Sequence, residues 1–431
     1  MRLKDVDRIG RALLRELSGR WVIDAHEHLA PESERVAATV DAASAFCWYP
    51  KWPVQAAGMT AEEYTVWQDM GQPLERRWAV FAKYLPFVRT TTFVRSVMIG
   101  IRELYGFDDV TDATCLDVSR VMREANRPGI YRRAFRDHCR IAAALSQGFS
   151  PDLPPRGCFR IPQAWFDDLG LSAGRQRLNR VEALLGQQLP ELSSWVEALP
   201  GLLSLLQARG VVGIKMGHAP IPFTDPAAAD VAGTYRDLRG GAPEPTPAER
   251  AALRDFEAHA VLRAAGAAGL PVIYHTGYEG TWVDFRAADT RALVPVLMRY
   301  RDVSFEIYHA GTVWDRELGM IALAFPNVWL NQCWAHALSR EMARAALDGW
   351  LDMLPANRII AWGGDAHTQV ESVLGDLAQV RETLALLLAR RVREGALSES
   401  RAIDVAMLLL YDNARRLYRL DLGAPGSLTY D

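Results

Sequence analysis

Cysteine is scarce: the 431 residues contain five, Cys47, Cys115, Cys139, Cys158 and Cys333. They are odd in number, scattered and never spaced C-x-x-C. That argues against a disulfide framework or a cysteine zinc site and fits reduced thiols in a cytoplasmic protein. A basic excess is lacking too. The formal charge is -3, from 49 basic and 52 acidic side chains, with no basic stripe, which argues against a nucleic-acid partner. No run is long and apolar enough for a membrane span. The start, MRLKDVDRIGRALLRELSGR, is broken by charge throughout, so it lacks the apolar core of a secretory signal. What that segment has is helical spacing. Leu3, Val6, Ile9, Leu13, Leu14 and Leu17 share one face of an amphipathic helix, either an interface between copies or a cover for the floor of the fold.

Hydrophobic residues make up 49% and charged residues 23%, enough for a large buried core. Short apolar runs near residues 22, 140, 159, 212, 272, 304, 328 and 359 read as eight strands. From Ala251 onward the pattern is regular: LPVIYHTG, VSFEIYHAG, NVWLNQCW and RIIAWGGDAH each follow a helical stretch. Strand and helix in alternation argue a parallel sheet with crossover helices. The count suggests a (β/α)8 TIM barrel, one domain over residues 1–431. A mostly helical insertion, about 30–137, follows the first strand and carries aromatic clusters such as FCWYPKWP.

In such a barrel the chemistry gathers at the C-terminal ends of the strands. The first strand, WVIDAHEHLA, ends in His26 and His28. Strict alternation sends Val22, Asp24, His26 and His28 to the barrel mouth and Trp21, Ile23 and Ala25 to the helices. Strand five ends in His275, strand six in His309 and strand eight in Asp365, and Lys215 stands near the end of strand four. Neutral imidazoles with a carboxylate are the donors of a catalytic divalent metal that keeps one position open for water. Bland roles compete for each residue. A lone H-x-H is weak, His275 could be a hydrogen-bonded core histidine, Asp365 a helix cap, and Lys215 a salt-bridge partner. Their coincidence at strands one, five, six and eight favours the metal site. His138 and His259 lie in helical sequence and read as structural, while His218, His336 and His367 are balanced between lining the pocket and ordinary loop roles.

These segments resemble the amidohydrolase superfamily, in its amidohydrolase-related branch. DAHEHL is similar to the first-strand H-x-H signature, GLPVIYHTG and YHAG to the histidine segments of strands five and six, and IIAWGGDAH to the strand-eight aspartate. With VVGIKMG and the closing LYDNARRLYRL, the likeness is closest to the nodulin-like hydrolase domain associated with glutamine synthetase-like proteins. It covers Trp21 to Leu29 and Arg209 to Leu420. The resemblance implies one divalent ion, zinc ahead of manganese or iron(II), held by His26, His28, His275 and Asp365. Asp365 would also be the general base, and His309 would contact substrate or water, stabilise an oxyanion or add a further ligand. Lys215 matches the lysine that is carbamylated in binuclear members. The reading favoured here is a charge that holds an anionic substrate group.

The expected activity is hydrolysis of an amide, or a related C–N or ester bond, in a small polar, carboxylate-bearing molecule. Lys215, Arg160, Tyr278, Trp334 and His367 are candidate substrate contacts, and Trp48 and Trp52 candidate walls. Three alternatives stand beside it. IRELYGFDDVTDATCLDVSRVMREAN is distantly similar to the helical insertion of uronate isomerases. Decarboxylases of the same branch would share the ligands, and a catalytically inactive binding barrel would share the fold. The expected partner is a small molecule, with homo-oligomerisation left open.

Overall fold

The protein's structure is a computed structural model describing residues 8–147, 154–217, 224–241 and 244–430, so His218 lies outside the described residues. Eight strands are β1 (Val22–Glu27), β2 (Ile141–Gln147), β3 (Arg160–Trp165), β4 (Ile214–Lys215), β5 (Val272–Tyr274), β6 (Phe305–Ile307), β7 (Val328–Asn331) and β8 (Ile359–Ile360). All pair in parallel and in sequence order, one at each apolar run named above. The chain is a (β/α)8 TIM barrel. Its strands are apolar on both faces because one faces the interior and the other the helices.

Main-chain bonds past β8 close the ring. Asp365 N donates to His26 O (2.9 Å), His28 N to Ala366 O (3.1 Å) and Ala30 N to His367 O (3.0 Å). Inside, Ile23, Ala25, Leu145, Ile273 and Ile360 pack with Leu417 and Tyr418 from the C-terminal tail. The tail therefore packs into the barrel interior. The amphipathic helix Arg8–Gly19 instead lays Leu13 and Leu17 against the flank formed by helices Val370–Arg393 and Glu399–Met407.

Strict alternation fails along β1. Ile23 and Ala25 pack in the interior, Val22 packs with the helical layer, and Asp24 turns away from the mouth toward Gly364. The pairing register with β2 slips between Asp24 and Glu27. Such a bulge resets the period of two. His26 and His28 therefore reach the mouth while Asp24 does not.

Between β1 and β2 every described element is helical, from Glu32–Ala37 to Arg132–His138. This segment is tied to the last barrel helix. Helix Thr92–Tyr105 crosses Val370–Arg393 so closely that a Cβ on Gly375 would lie 1.8 Å from Ser96 O. Beside the crossing, Glu371 accepts from Arg35 Nη2 at 2.7 Å and from Tyr105 OH at 2.5 Å. Removing one partner of such a buried pair costs about 3–5 kcal/mol. No described helix is long and apolar enough to cross a membrane.

Candidate metal centre

Three side chains converge at the seam between β1 and the segment after β8. His26 Nε2 lies 3.0 Å and His28 Nε2 3.3 Å from the same oxygen, Oδ1 of Asp365. Their ligand atoms all fall within 4.8 Å of one another. Burial would raise the Asp365 carboxyl, but His26 and His28 hold it well below the usual carboxylate range. Burial pushes the His26 imidazole down to about 3, against the pull of Asp365. Neutral imidazole nitrogen and an ionised carboxylate are the donor set of a divalent cation, so these residues fit one.

Backbone strain marks the same place. Among the few non-glycine residues with positive φ are His309 (64°), Ala310 (56°), Trp334 (60°) and Asp365 (55°), all beyond the ends of β6, β7 and β8. L-residues adopt this region only where surrounding structure enforces it, most often at functional sites.

His275 and His309 form a second group. His309 Nδ1 lies 3.1 Å from Cys333 O, and His309 Nε2 lies 3.0 Å from His275 Nδ1. A carbonyl oxygen only accepts, so His309 carries its proton on Nδ1 and takes the His275 Nδ1–H on Nε2. His275 Nε2 then presents a lone pair, 4.0 Å from Glu279 Oε1. Cys333 joins His26 and His309 in another cluster of ligand atoms within 4.8 Å.

A pocket of about 310 Å³ lies over these groups, lined also by Lys215, Tyr278, Trp334 and His367. Lys215 is only 1% exposed, and its Nζ has no hydrogen-bond partner among the described residues. It stands 4.1 Å from the centroid of the Tyr308 ring. Burial lowers the amine to about 8, with Cys333, Asp365 and Glu306 opposing. Tyr278 and Trp334 stack at 6.0 Å.

Of the residues named from sequence, Arg160 is misplaced. It begins β3 rather than ending it, donates through Nη1 to Leu29 O (3.3 Å), and lines a different cavity with Arg209 and Arg419. The residue at the mouth end of β3 is Trp165, stacked on His28 at 6.1 Å. His259 is structural, bonded to Tyr300 OH and Thr224 O. His336 is fully buried and lines no part of the pocket, whereas His367 does.

Sequence reasoning missed Gln147, Tyr49, Lys51 and Glu279, which also line the pocket. Gln147 ends β2 with Nε2 3.0 Å from His26 Nδ1, so a strand boundary one residue longer would have found it. Tyr49 OH and Trp48 Nε1 both donate to Asp365 O, which brings the helical segment into the site.

The amidohydrolase family model matches residues 197–420, just over half of the chain, and the chain belongs to that family. Protein fluG of Emericella nidulans is 26% identical over 158 residues, 36% of this chain and only 18% of that protein. Several solved structures match nearly the whole chain. A uronate isomerase from Thermotoga maritima has a TM-score of 0.74 at 14% identity, covering 96% of this chain and 98% of its own. A glucuronate isomerase from Caulobacter crescentus has 0.75 at 17%, covering 98% and 97%. At these identities the likeness is one of fold.

Proposed function

We propose that this protein is a metal-dependent hydrolase acting on an amide, or a related C–N or ester bond, of a small carboxylate-bearing molecule. The observation that carries this reading is the convergence of His26 and His28 on an ionised Asp365, in a pocket that also holds the buried Lys215 amine. His26, His28 and Asp365 would hold one divalent ion, zinc ahead of manganese or iron(II), with the lone pair of His275 as a further donor. Such an ion, when bound, polarises a carbonyl and lowers the pKa of water toward about 7.

The chain's own residues supply the rest. Asp365 accepts the proton of the attacking water and delivers it to the leaving nitrogen. Lys215, with no hydrogen-bond partner among the described residues, holds the substrate carboxylate. His309, its proton committed to Cys333 O, orients His275 rather than donating to an oxyanion. Tyr278, Trp334 and His367 wall the substrate.

Aldose–ketose isomerisation of a uronate stands second. It is favoured by the match to two uronate isomerases over at least 96% of this chain, a span that takes in the helical segment after β1. Metal-loaded protein screened against γ-glutamylamides, other amides, lactones, uronates and aromatic carboxylates separates the readings. Release of amine or opening of a lactone supports hydrolysis. Uronate isomerisation or CO2 release as the sole reaction overturns it, and a protein that holds no stoichiometric divalent metal and takes none up on soaking points to a binding barrel.

A further inference from the structure

On the flank of the barrel a cavity of about 450 Å³ opens between helices Thr92–Tyr105, Arg340–Met353 and Val370–Arg393. It shares no lining residue with the metal pocket. Five arginines line it, Arg95, Arg340, Arg344, Arg390 and Arg393, against one acid, Glu341. Ion pairs use part of that charge. Arg340 pairs with Glu382 at 2.9 Å, Arg344 with Glu341 at 2.9 Å, and Arg390 with Asp348 at 2.6 Å and Glu394 at 3.5 Å.

Two of the lining guanidinium groups, those of Arg95 and Arg340, keep donors for the cavity. The Arg95 guanidinium, half-buried, makes no ion pair or hydrogen bond with any described residue. Arg340 is 8% exposed. Its Nε is taken by Thr383 and its Nη1 by Glu382, which leaves Nη2 without a partner among the described residues. Two helices of 14 residues also begin here; Arg340–Met353 is capped by Ser339 and carries Glu341 in its first turn, so only the other start is open. Helix Thr92–Tyr105 has no side-chain cap and no acid in its first turn, so its positive dipole end is uncompensated. Arg340 N, at the start of the other, donates to Thr92 Oγ1 at 3.4 Å and ties the two starts together.

Guanidinium forks and helix starts are the groups that take up phosphate oxygens. We propose that this cavity is an anion site for a small phosphate-bearing molecule, separate from the metal pocket. Its volume exceeds the roughly 300 Å³ at the lower end of ligand pockets, so a phosphate and a small organic body both fit. The two places are joined through the chain: Thr92 precedes Phe93, Ser339 follows the short helix after Trp334, and the Phe93 ring lies 5.9 Å from that of Trp334, which lines the metal pocket.

The test is isothermal titration calorimetry of the full chain with inorganic phosphate, pyrophosphate and ribose 5-phosphate. The comparison set is Arg95→Gln, Arg344→Gln and, as a control at the metal pocket, His28→Ala. The site requires saturable binding of at least one probe, weakened about tenfold or more by each arginine substitution and unchanged by His28→Ala. Ribose 5-phosphate binding tighter than inorganic phosphate identifies an organic ligand, and equal binding identifies the free anion. Both arginine side chains are partly exposed, so the variants are expected to melt as wild type. No saturable binding up to about 10 mM, where affinity becomes negligible, overturns the proposal, as does binding that both arginine variants retain or that His28→Ala removes.

Discussion

Replacing Lys215 with Met should make the protein more stable. The amine is 1% exposed, has no hydrogen-bond partner among the described residues, and is lowered from 10.5 to about 8, mainly by burial. At 1.36 kcal/mol for each pKa unit, keeping it charged at pH 7 costs about 3 kcal/mol. The contact with the Tyr308 ring at 4.1 Å returns about 1–2 kcal/mol of that. The net gain for Lys215→Met is then about 1–2 kcal/mol, near 2 °C in melting temperature for a chain of this length. The pH dependence follows from the sign. Below pH 8 both folded and unfolded chains carry the charge, and the full cost applies. Between pH 8 and 10.5 the unfolded chain binds more protons than the folded one, so wild-type stability rises through that window and the advantage of the variant shrinks. Calorimetry of chelator-treated wild type and variant at pH 7 and pH 10 measures both differences. A variant less stable than wild type at pH 7 would refute the reasoning, because it would make Lys215 a structural ion-pair partner. So would a gain that does not shrink at pH 10. Stability held back at a buried pocket charge is the mark of a group kept for a ligand.

Asp365→Asn should lower turnover by about 10²–10⁴, the usual worth of a general base, with an unchanged circular dichroism spectrum; near-normal turnover would remove the base role. Gly375→Ala should cost about 2–3 kcal/mol, because its Cβ would lie 1.8 Å from Ser96 O and force the two helices apart. An unchanged urea midpoint would contradict that crossing. Stripping divalent metal with a chelator should abolish activity and lower the melting temperature, with zinc restoring both, since an ion bound only by the folded state stabilises it. Melting indifferent to metal would count against His26, His28 and Asp365 as its ligands.

The barrel was legible because parallel strands buried on both faces appear as short apolar runs, and Ile273, Phe305 and Val328 sit in such runs. His26, His28, Lys215, His275, His309 and Asp365 were legible because each stands at or just beyond the C-terminal end of a run. Arg160 was named for its place near strand three, but CFRIPQAW does not say which of its residues ends the strand, and the strand runs on to Trp165. Tyr49 and Lys51 lie in FCWYPKWP, between the candidate walls Trp48 and Trp52, but nothing in that cluster says which of its side chains turn to the pocket. Asp24 was sent to the mouth because alternation assumes an unbroken period, which the bulge interrupts.

That bulge gives the acids of D-A-H-E-H a structural purpose. Asp24 Oδ1 accepts from Gly364 N at 2.9 Å, and Glu27 Oε2 from Ala366 N at 2.6 Å. Asp365 lies between those two anchored residues, and its own N–H is bonded to His26 O. Three main-chain donors in a row are thus fixed to β1, which holds Asp365 in its positive-φ conformation and its carboxylate on the two histidines. The geometry needs glycine before the aspartate. A Cβ on Gly363 would lie 2.7 Å from His26 N, and one on Gly364 2.3 Å from Glu27 Oε1. Burial pushes both the Asp24 and Glu27 carboxyls above the ordinary range, and the neighbouring Asp24 raises Glu27 further, which suits acids that hold backbone rather than face a substrate. In W-G-G-D and D-A-H-E-H, the histidines and the last aspartate are the proposed metal donors, and the remaining acids and glycines are the frame that brings β8 onto β1.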